Sequence, residues 1–100
     1  LGIFYNLYSD LMDFWDKECP GKIYNLIYEN LTTNQETEIK NLLKFCELEW
    51  DPNCLEHHLN KKPIKTVSAV QARQPIYKSS IKKSEKYADY LLDLKKIIKI

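Results

Sequence analysis

The stretch that most constrains the fold of this 100-residue chain is residues 65–80, KTVSAVQARQPIYKSS. Pro75 lacks a backbone donor and disfavours helical conformation at the residue before it, so this stretch predicts an extended loop. Ser79 and Ser80 then precede a run with helical periodicity, which predicts a last helix over about residues 80–99. A serine N-cap leaves unpaired backbone N–H groups and the positive end of the helix dipole beside the loop, which favours a bound anion.

Charge is divided sharply along the chain. Residues 1–58 carry eleven acids against four lysines, whereas residues 59–86 carry eight bases against one glutamate. Such a basic block indicates an anionic partner, although a solvated lysine-rich loop would have the same composition.

The cysteines and the apolar runs bear on the compartment. Three cysteines without regular spacing argue against a disulfide framework and predict a reducing, cytoplasmic environment. No apolar run approaches the roughly 20 residues that cross a bilayer, so no membrane segment is expected. The first fifteen residues lack a basic leader and do not predict a signal peptide. Because the sequence opens on Leu1 without an initiator methionine, we expect a piece of a longer protein.

Most of the chain predicts helices. Residues 1–17 form an amphipathic pattern, a capping-box sequence introduces a helix over about residues 35–46, and Asp51-Pro52 starts a short helix through about residue 57. The apolar face of the first helix consists of Phe4, Leu7, Leu11 and Phe14 or Trp15.

One segment predicts a strand. Residues 22–28 are short, apolar on both faces and rich in β-branched and aromatic side chains, which is typical of a buried parallel strand. The backbone of a strand needs neighbouring strands, and no second convincing strand follows in the sequence. This absence again predicts a part of a larger protein.

The cysteines and histidines offer weak candidates for a zinc site and for a nucleophile. Cys54, His57 and His58 cluster, but three candidate ligands without a partner pair of cysteines do not predict a metal site. Cys46 lies on an apolar helical face and is interpreted as a small core residue. No catalytic residue is assigned.

The strongest candidate site is an anion site in and after the loop of residues 65–80. There a fork-shaped cation, hydroxyls and a helix N-terminus would converge, although the two serines before the last helix could only cap it. At the end of the strand, Tyr28 is either a core residue or a side chain facing a ligand crevice. The candidate binding residues are Tyr28, Ser68, Arg73, Lys78, Ser79 and Ser80.

Three segments carry a family resemblance. Residues 24–31, which contain Tyr-Glu-Asn-Leu, residues 43–48, LKFCEL, and residues 66–77, TVSAVQARQPIY, resemble the carboxyl-terminal part of bacterial sulfotransferases. The resemblance covers about residues 10–95 and extends to relatives fused to tetratricopeptide repeats and to tyrosylprotein sulfotransferases. Ser84 stands where the family usually has a tryptophan, and Ala72 replaces a common valine.

The resemblance implies a P-loop-like α/β fold and a reaction. The family transfers a sulfuryl group from 3′-phosphoadenosine-5′-phosphosulfate to a hydroxyl or amine. By the same resemblance Tyr28 lies near the adenine, Lys78, Ser79 and Ser80 approach the 3′-phosphate end, and Ser68 and Arg73 belong to the preceding motif. With two glycines in the chain, no glycine-rich loop for the 5′-phosphosulfate is present, and no catalytic base is recognised.

We therefore expect a mostly α fragment of an α/β P-loop-like sulfotransferase fold, with about three main helices, one short helix and one strand. Residues 1–100 would be the carboxyl-terminal part of the domain, inactive alone, and the exposed strand would allow homo-oligomers. The rival hypothesis is a small helical interaction module whose basic loop, residues 61–86, binds an acidic protein or nucleic acid, of which nucleic acid is the less favoured.

Overall fold

The computed structural model describes residues 1–98, which form helices and irregular connections. The chain divides into two units: unit 1 comprises Leu1–Tyr24 and the described part of Lys82–Ile100, and unit 2 comprises Asn25–Ile81. The predicted mostly helical character is confirmed. The helices in chain order are α1 (Gly2–Glu18), α2 (Tyr28–Thr33), α3 (Gln35–Phe45), the 3-10 helix η1 (Pro52–Leu59), α4 (Ala69–Ala72), the 3-10 helix η2 (Lys83–Leu91) and α5 (Leu92–Ile97).

The predicted strand is wrong, and with it the α/β fold. No β-strand occurs within residues 1–98. Residues 22–27 are irregular without a ladder partner, Ile27 is extended at the N-cap of α2, and Tyr28 is the first residue of that helix. Apolar and β-branched composition favours an extended backbone, but a strand forms only where a neighbouring strand satisfies its N–H and C=O groups.

Unit 1 is organised by the packing of α1 on α5. Gly2 is buried, and the side chains of Ile97 and Leu94 occupy the space where a Cβ atom at position 2 would lie. One turn further along, the Asn6 amide donates a hydrogen bond of 2.8 Å to the Ile97 carbonyl oxygen. Pro20 and Gly21 follow α1, and Gly21 has a φ of +72°, which a residue without a side chain adopts most easily. Through Gly2 and Asn6, α1 therefore contacts α5 with a small and a polar residue.

The amphipathic pattern of α1 is confirmed, but its apolar face is not covered. At 100° per residue, Phe4, Leu7 and Leu11 lie on the side of the helix away from Gly2 and Asn6. All three are exposed, and no large apolar side chain within residues 1–98 is fully buried.

The last helix differs from the prediction. Lys82 has a φ of +58° and forms the N-cap of η2, which is non-helical at Tyr87 and is followed by the separate helix α5. Ser79 and Ser80 lie in the preceding turn, closed by a 3.0 Å hydrogen bond from the Ile81 amide to the Lys78 carbonyl, and they do not cap a helix. The break at a left-handed lysine explains the shift. The predicted end at Lys99 lies outside the described residues.

Unit 2 connects α2, α3 and η1. The predicted second helix is confirmed as α3, but Asn34 is its N-cap and makes no side-chain cap hydrogen bond, so the capping box was wrong. The predicted start of the short helix is confirmed, because the Asp51 carboxylate accepts a 2.8 Å hydrogen bond from the Asn53 amide. Across the unit, the Gln35 amide donates to the Leu55 carbonyl at 3.5 Å. No helix in the described part of the chain is long and apolar enough to cross a membrane.

Candidate functional site

The candidate site is an open groove in unit 2. Its lining comes from α2, from η1, and from α4 with the segment that follows it. The lining residues are Tyr28, Leu31, Thr32, His57, Gln71, Gln74, Pro75, Ile76 and Tyr77. The groove thus lies between α2, which begins at Tyr28, and the segment that contains Pro75.

Local chemistry explains why residues 74–77 form a wall. The predicted extended loop is interrupted by the short helix α4, and Arg73 and Gln74 separate the end of that helix from Pro75. Pro75 disfavours a continuation of the helix through the groove-lining residues. The Arg73 guanidinium donates a hydrogen bond to the Lys62 carbonyl oxygen, which ties the two ends of the connecting loop together. On the opposite wall, buried Thr32 donates its hydroxyl to the Glu29 carbonyl at 3.1 Å. Both walls are therefore held by hydrogen bonds inside unit 2.

The volume of the groove limits its ligand. It measures about 180 Å³, below the roughly 300–1,000 Å³ typical of sites that enclose a whole small molecule. Two tyrosines, a proline and an isoleucine offer ring faces and apolar surface, while His57 and two glutamines offer polar atoms. A planar ring system such as a nucleobase fits this chemistry, with the rest of its ligand outside the groove.

The structure gathers the predicted site residues in one unit but not in one pocket. Of the six, Tyr28 lines the groove. Ser68 precedes α4 and Arg73 follows it, so they lie at the two ends of one short helix. Lys78 directly follows the groove-lining Tyr77, and Ser79 and Ser80 continue into the turn. These five residues flank the groove along the chain, and the predicted helix N-terminus at Ser80 is absent.

The segments that flank the groove carry cations without nearby acids in the sequence. No acid occurs between Leu59 and Ser84. The ion pairs found within residues 1–98 are Lys40–Glu36, Lys82–Glu85 and Lys96–Asp93, and none of them neutralises the cations of residues 61–78. These cations are therefore available to an anion.

Sequence reasoning missed several groove residues. His57 is missed because it reaches the groove from η1, which is distant in the sequence from residues 65–80. Thr32 is missed because it lies one turn after Tyr28 on α2, a helix that the sequence does not predict. Gln71 lies within residues 65–80 but is not among the predicted site residues. Gln74 and Tyr77 were within the stretch first singled out, and their position beside Pro75 was the signal that could have found them. Around Cys54, His57 and His58, no group of three metal-binding side chains is assembled in the described residues.

Comparisons with known proteins complete the description. A family model described as the sulfotransferase family matches residues 1–52. A protein of Aquifex aeolicus (strain VF5), described as an uncharacterized protein, is 41% identical over 98 residues, which are 98% of this chain and 13% of that protein. The chain thus spans about an eighth of the length of this relative. No solved structure matches significantly.

Proposed function

Since the chain belongs to the sulfotransferase family, we propose that it forms the carboxyl-terminal, nucleotide-binding part of a domain that transfers a sulfuryl group. The donor is 3′-phosphoadenosine-5′-phosphosulfate, and the acceptor is a hydroxyl or an amine. The observation that carries this proposal is the groove of unit 2, which both Tyr28 and Tyr77 line and which a segment rich in cations flanks.

The groove takes the adenine base. A base presents two π-faces, and stacking on an aromatic side chain contributes about 1–3 kcal/mol per base as measured by alanine substitution. Tyr28 and Tyr77 are both partly exposed, so their rings are accessible without rearrangement of a core. Gln71, Gln74 and His57 supply hydrogen-bonding groups for the edge of the base.

The residues that flank the groove take the 3′-phosphate. Arg73 has five N–H donors, and the hydrogen bond to the Lys62 carbonyl engages one nitrogen of its fork. Lys78, Ser68, Ser79 and Ser80 add a point charge and hydroxyl donors on either side of the groove-lining segment. The absence of an acid between residues 59 and 84 keeps the local potential positive.

The transfer step itself needs groups beyond this chain. The acceptor oxygen or nitrogen forms a bond to sulfur, the bond between sulfur and the bridging oxygen breaks, and the bisphosphate leaves with the electron pair. The acceptor proton goes to a base, and the 5′-phosphosulfate needs a cradle of backbone N–H groups. The chain has two glycines and no glycine-rich loop, so it lacks a cradle for the 5′-phosphosulfate. In this proposal the chain binds the nucleotide but does not catalyse the transfer alone. Its three free thiols fit a reducing cytoplasm.

The test is calorimetric titration of adenosine 3′,5′-bisphosphate into the 100-residue chain, with AMP and a short oligonucleotide as competing ligands. Tyr77→Ala should weaken bisphosphate binding about 5- to 150-fold, which corresponds to the loss of one stacked base. The matched control is Tyr90→Ala, because Tyr90 is 88% exposed and lies in unit 1. This variant should bind the bisphosphate with the affinity of the unaltered chain.

The outcome of this titration separates the two hypotheses. Preference for the bisphosphate over AMP, lost in Tyr77→Ala, supports the nucleotide site. Salt-dependent binding of the oligonucleotide without any bisphosphate binding would contradict it and favour a basic interaction module.

A further inference from the structure

A second pocket adjoins the nucleotide groove within unit 2. Its lining comes from η1 and the residue that ends it, namely Asn53, Glu56, His57, Leu59 and Asn60. The pocket measures about 310 Å³, which is within the roughly 300–1,000 Å³ of small-molecule sites. His57 also lines the groove, so the two spaces meet at this imidazole. The nucleotide placed as proposed above leaves this second pocket, the η1 pocket, unused.

A bend in η1 makes the pocket concave. A straight helix presents a convex surface, but η1 is kinked at Glu56, where φ is −116° and ψ is 36°. Residues on both sides of the kink therefore border one space. The Asp51 carboxylate holds the start of η1 by accepting from the Asn53 amide at 2.8 Å, and the Asn60 amide closes its end on the His57 carbonyl at 3.1 Å.

Three polar side chains border the pocket with groups left to bind a ligand. The Glu56 carboxylate and the Asn53 carboxamide make no ion pair or hydrogen bond with the residues that the structure describes. The Asn60 carboxamide oxygen accepts from the Lys62 amide at 2.9 Å, which fixes this side chain and leaves its NH₂ group to donate. A ligand in the pocket therefore meets donors and acceptors without breaking a contact of the protein.

Charge decides which ligand the pocket favours. Glu56 is the acid among the five lining residues, and none of the five is a lysine or an arginine. A carboxylate repels an anion and attracts a protonated amine, whose three N–H donors suit an acceptor-only group. Each asparagine carboxamide both donates and accepts, as a hydroxyl does. The lining thus fits a compact molecule that carries an amino group and several hydroxyls.

We propose that the η1 pocket binds the acceptor, and that the acceptor is a hydroxylated amine about the size of an amino sugar, with its ammonium group on Glu56. A protonated amine has no lone pair, so a hydroxyl of the same molecule receives the sulfuryl group. Its oxygen bonds to sulfur while the bridging bond breaks, and its proton goes to a base outside this chain. The role as acceptor rests on the proposed function, whereas the binding of the amine does not.

The first test compares three sugars that share one ring and differ in charge: glucosamine, glucose and glucuronate. Each is titrated into the ¹⁵N-labelled 100-residue chain and followed by backbone NMR. Glucosamine should shift the amides of residues 53–60, glucose should bind about fivefold more weakly, and glucuronate should not bind, because an exposed ion pair contributes up to about a factor of five. Equal binding of the three sugars, shifts outside these residues or no binding of glucosamine overturns the proposal.

A pair of variants assigns the preference to Glu56. Glu56→Gln keeps the size of the side chain and removes its charge, so this variant should bind glucosamine no better than glucose. The matched control is Glu49→Gln, because Glu49 is also exposed in unit 2 but does not line the pocket. The control should keep the full preference. A Glu56→Gln variant that still prefers glucosamine, or an equal loss in both variants, overturns the role of Glu56.

A glucosamine titration in the presence of adenosine 3′,5′-bisphosphate separates this inference from the proposed function. Both ligands should bind at once, because they lie on different sides of His57. If they exclude each other, the pocket belongs to the nucleotide site and the acceptor assignment falls while the proposed function stands. If glucosamine binds and the bisphosphate does not, the proposed function and the acceptor assignment both fail, and the amine site alone is supported.

Discussion

Replacing Gly2 by alanine tests the packing that fixes the orientation of α1. An added Cβ atom would lie 2.8 Å from Ile97 Cγ2, 3.1 Å from Ile97 Cβ and 3.2 Å from Leu94 Cδ1. The first distance is below any normal contact between carbon atoms, and the second involves an atom that cannot move without the α5 backbone. The two helices must therefore separate by a few tenths of an ångström.

The expected magnitude follows from two opposing effects. Overpacking of a tight contact costs about 1–3 kcal/mol, whereas replacing a helical glycine by alanine gains about 0.5–1 kcal/mol. We expect Gly2→Ala to lower the free energy of unfolding by about 1 kcal/mol, measured by urea unfolding and by hydrogen exchange of the α1 and α5 amides.

A double-mutant cycle separates the clash from other effects. Ile97→Ala removes the closest atom, so Gly2→Ala should be less destabilising in that background, with a coupling energy of about 1 kcal/mol. If the two changes are additive within about 0.5 kcal/mol, Gly2 does not contact Ile97 and the assigned packing face of α1 is wrong.

Two further predictions concern unit 2. Asp51→Ala should lower the free energy of unfolding by about 1 kcal/mol, because the Asn53 amide loses its cap; Asp51→Asn should retain most of it, and equal loss in both variants would contradict the capping role. Arg73→Lys keeps the charge but loses the planar fork that donates to the Lys62 carbonyl, so hydrogen exchange in residues 62–73 should accelerate; unchanged exchange would refute this tether.

Local signals in the sequence predicted three of the seven helices described in residues 1–98. The periodicity of α1 and α3 and the Asp51-Pro52 start of η1 depend on residues within one or two turns, and all three are present. The left-handed conformation of Lys82 has no sequence signal, because lysine rarely adopts it. The length of the last helix could not be predicted for that reason.

The other wrong predictions concern strand pairing and helix packing, which depend on contacts with distant parts of the chain. The composition of residues 22–28 favours an extended backbone, but whether a partner strand exists depends on the rest of the fold. The face that α1 turns to its neighbour was also not predictable, because amphipathicity indicates an apolar face and not what covers it. Gly2 and Asn6 determined the packing instead.

The sequence predicts part of the candidate site. Tyr28 is a predicted site residue and lines the groove, and residues 74–77 around Pro75 line it too. In the sequence His57 is a weak zinc-ligand candidate, and only the fold of unit 2 brings it to the groove. Ser79 and Ser80 were assigned to a helix N-terminus that does not form there.

The central claim is that unit 2 holds a nucleotide in this groove, and the most direct measurement is backbone NMR of the ¹⁵N-labelled chain during titration with adenosine 3′,5′-bisphosphate. The account predicts concentration-dependent shifts at residues 28–32, at His57 and at residues 68–80, with α1 unaffected. Shifts centred on unit 1, or no shifts at concentrations that saturate a mononucleotide site, would contradict it.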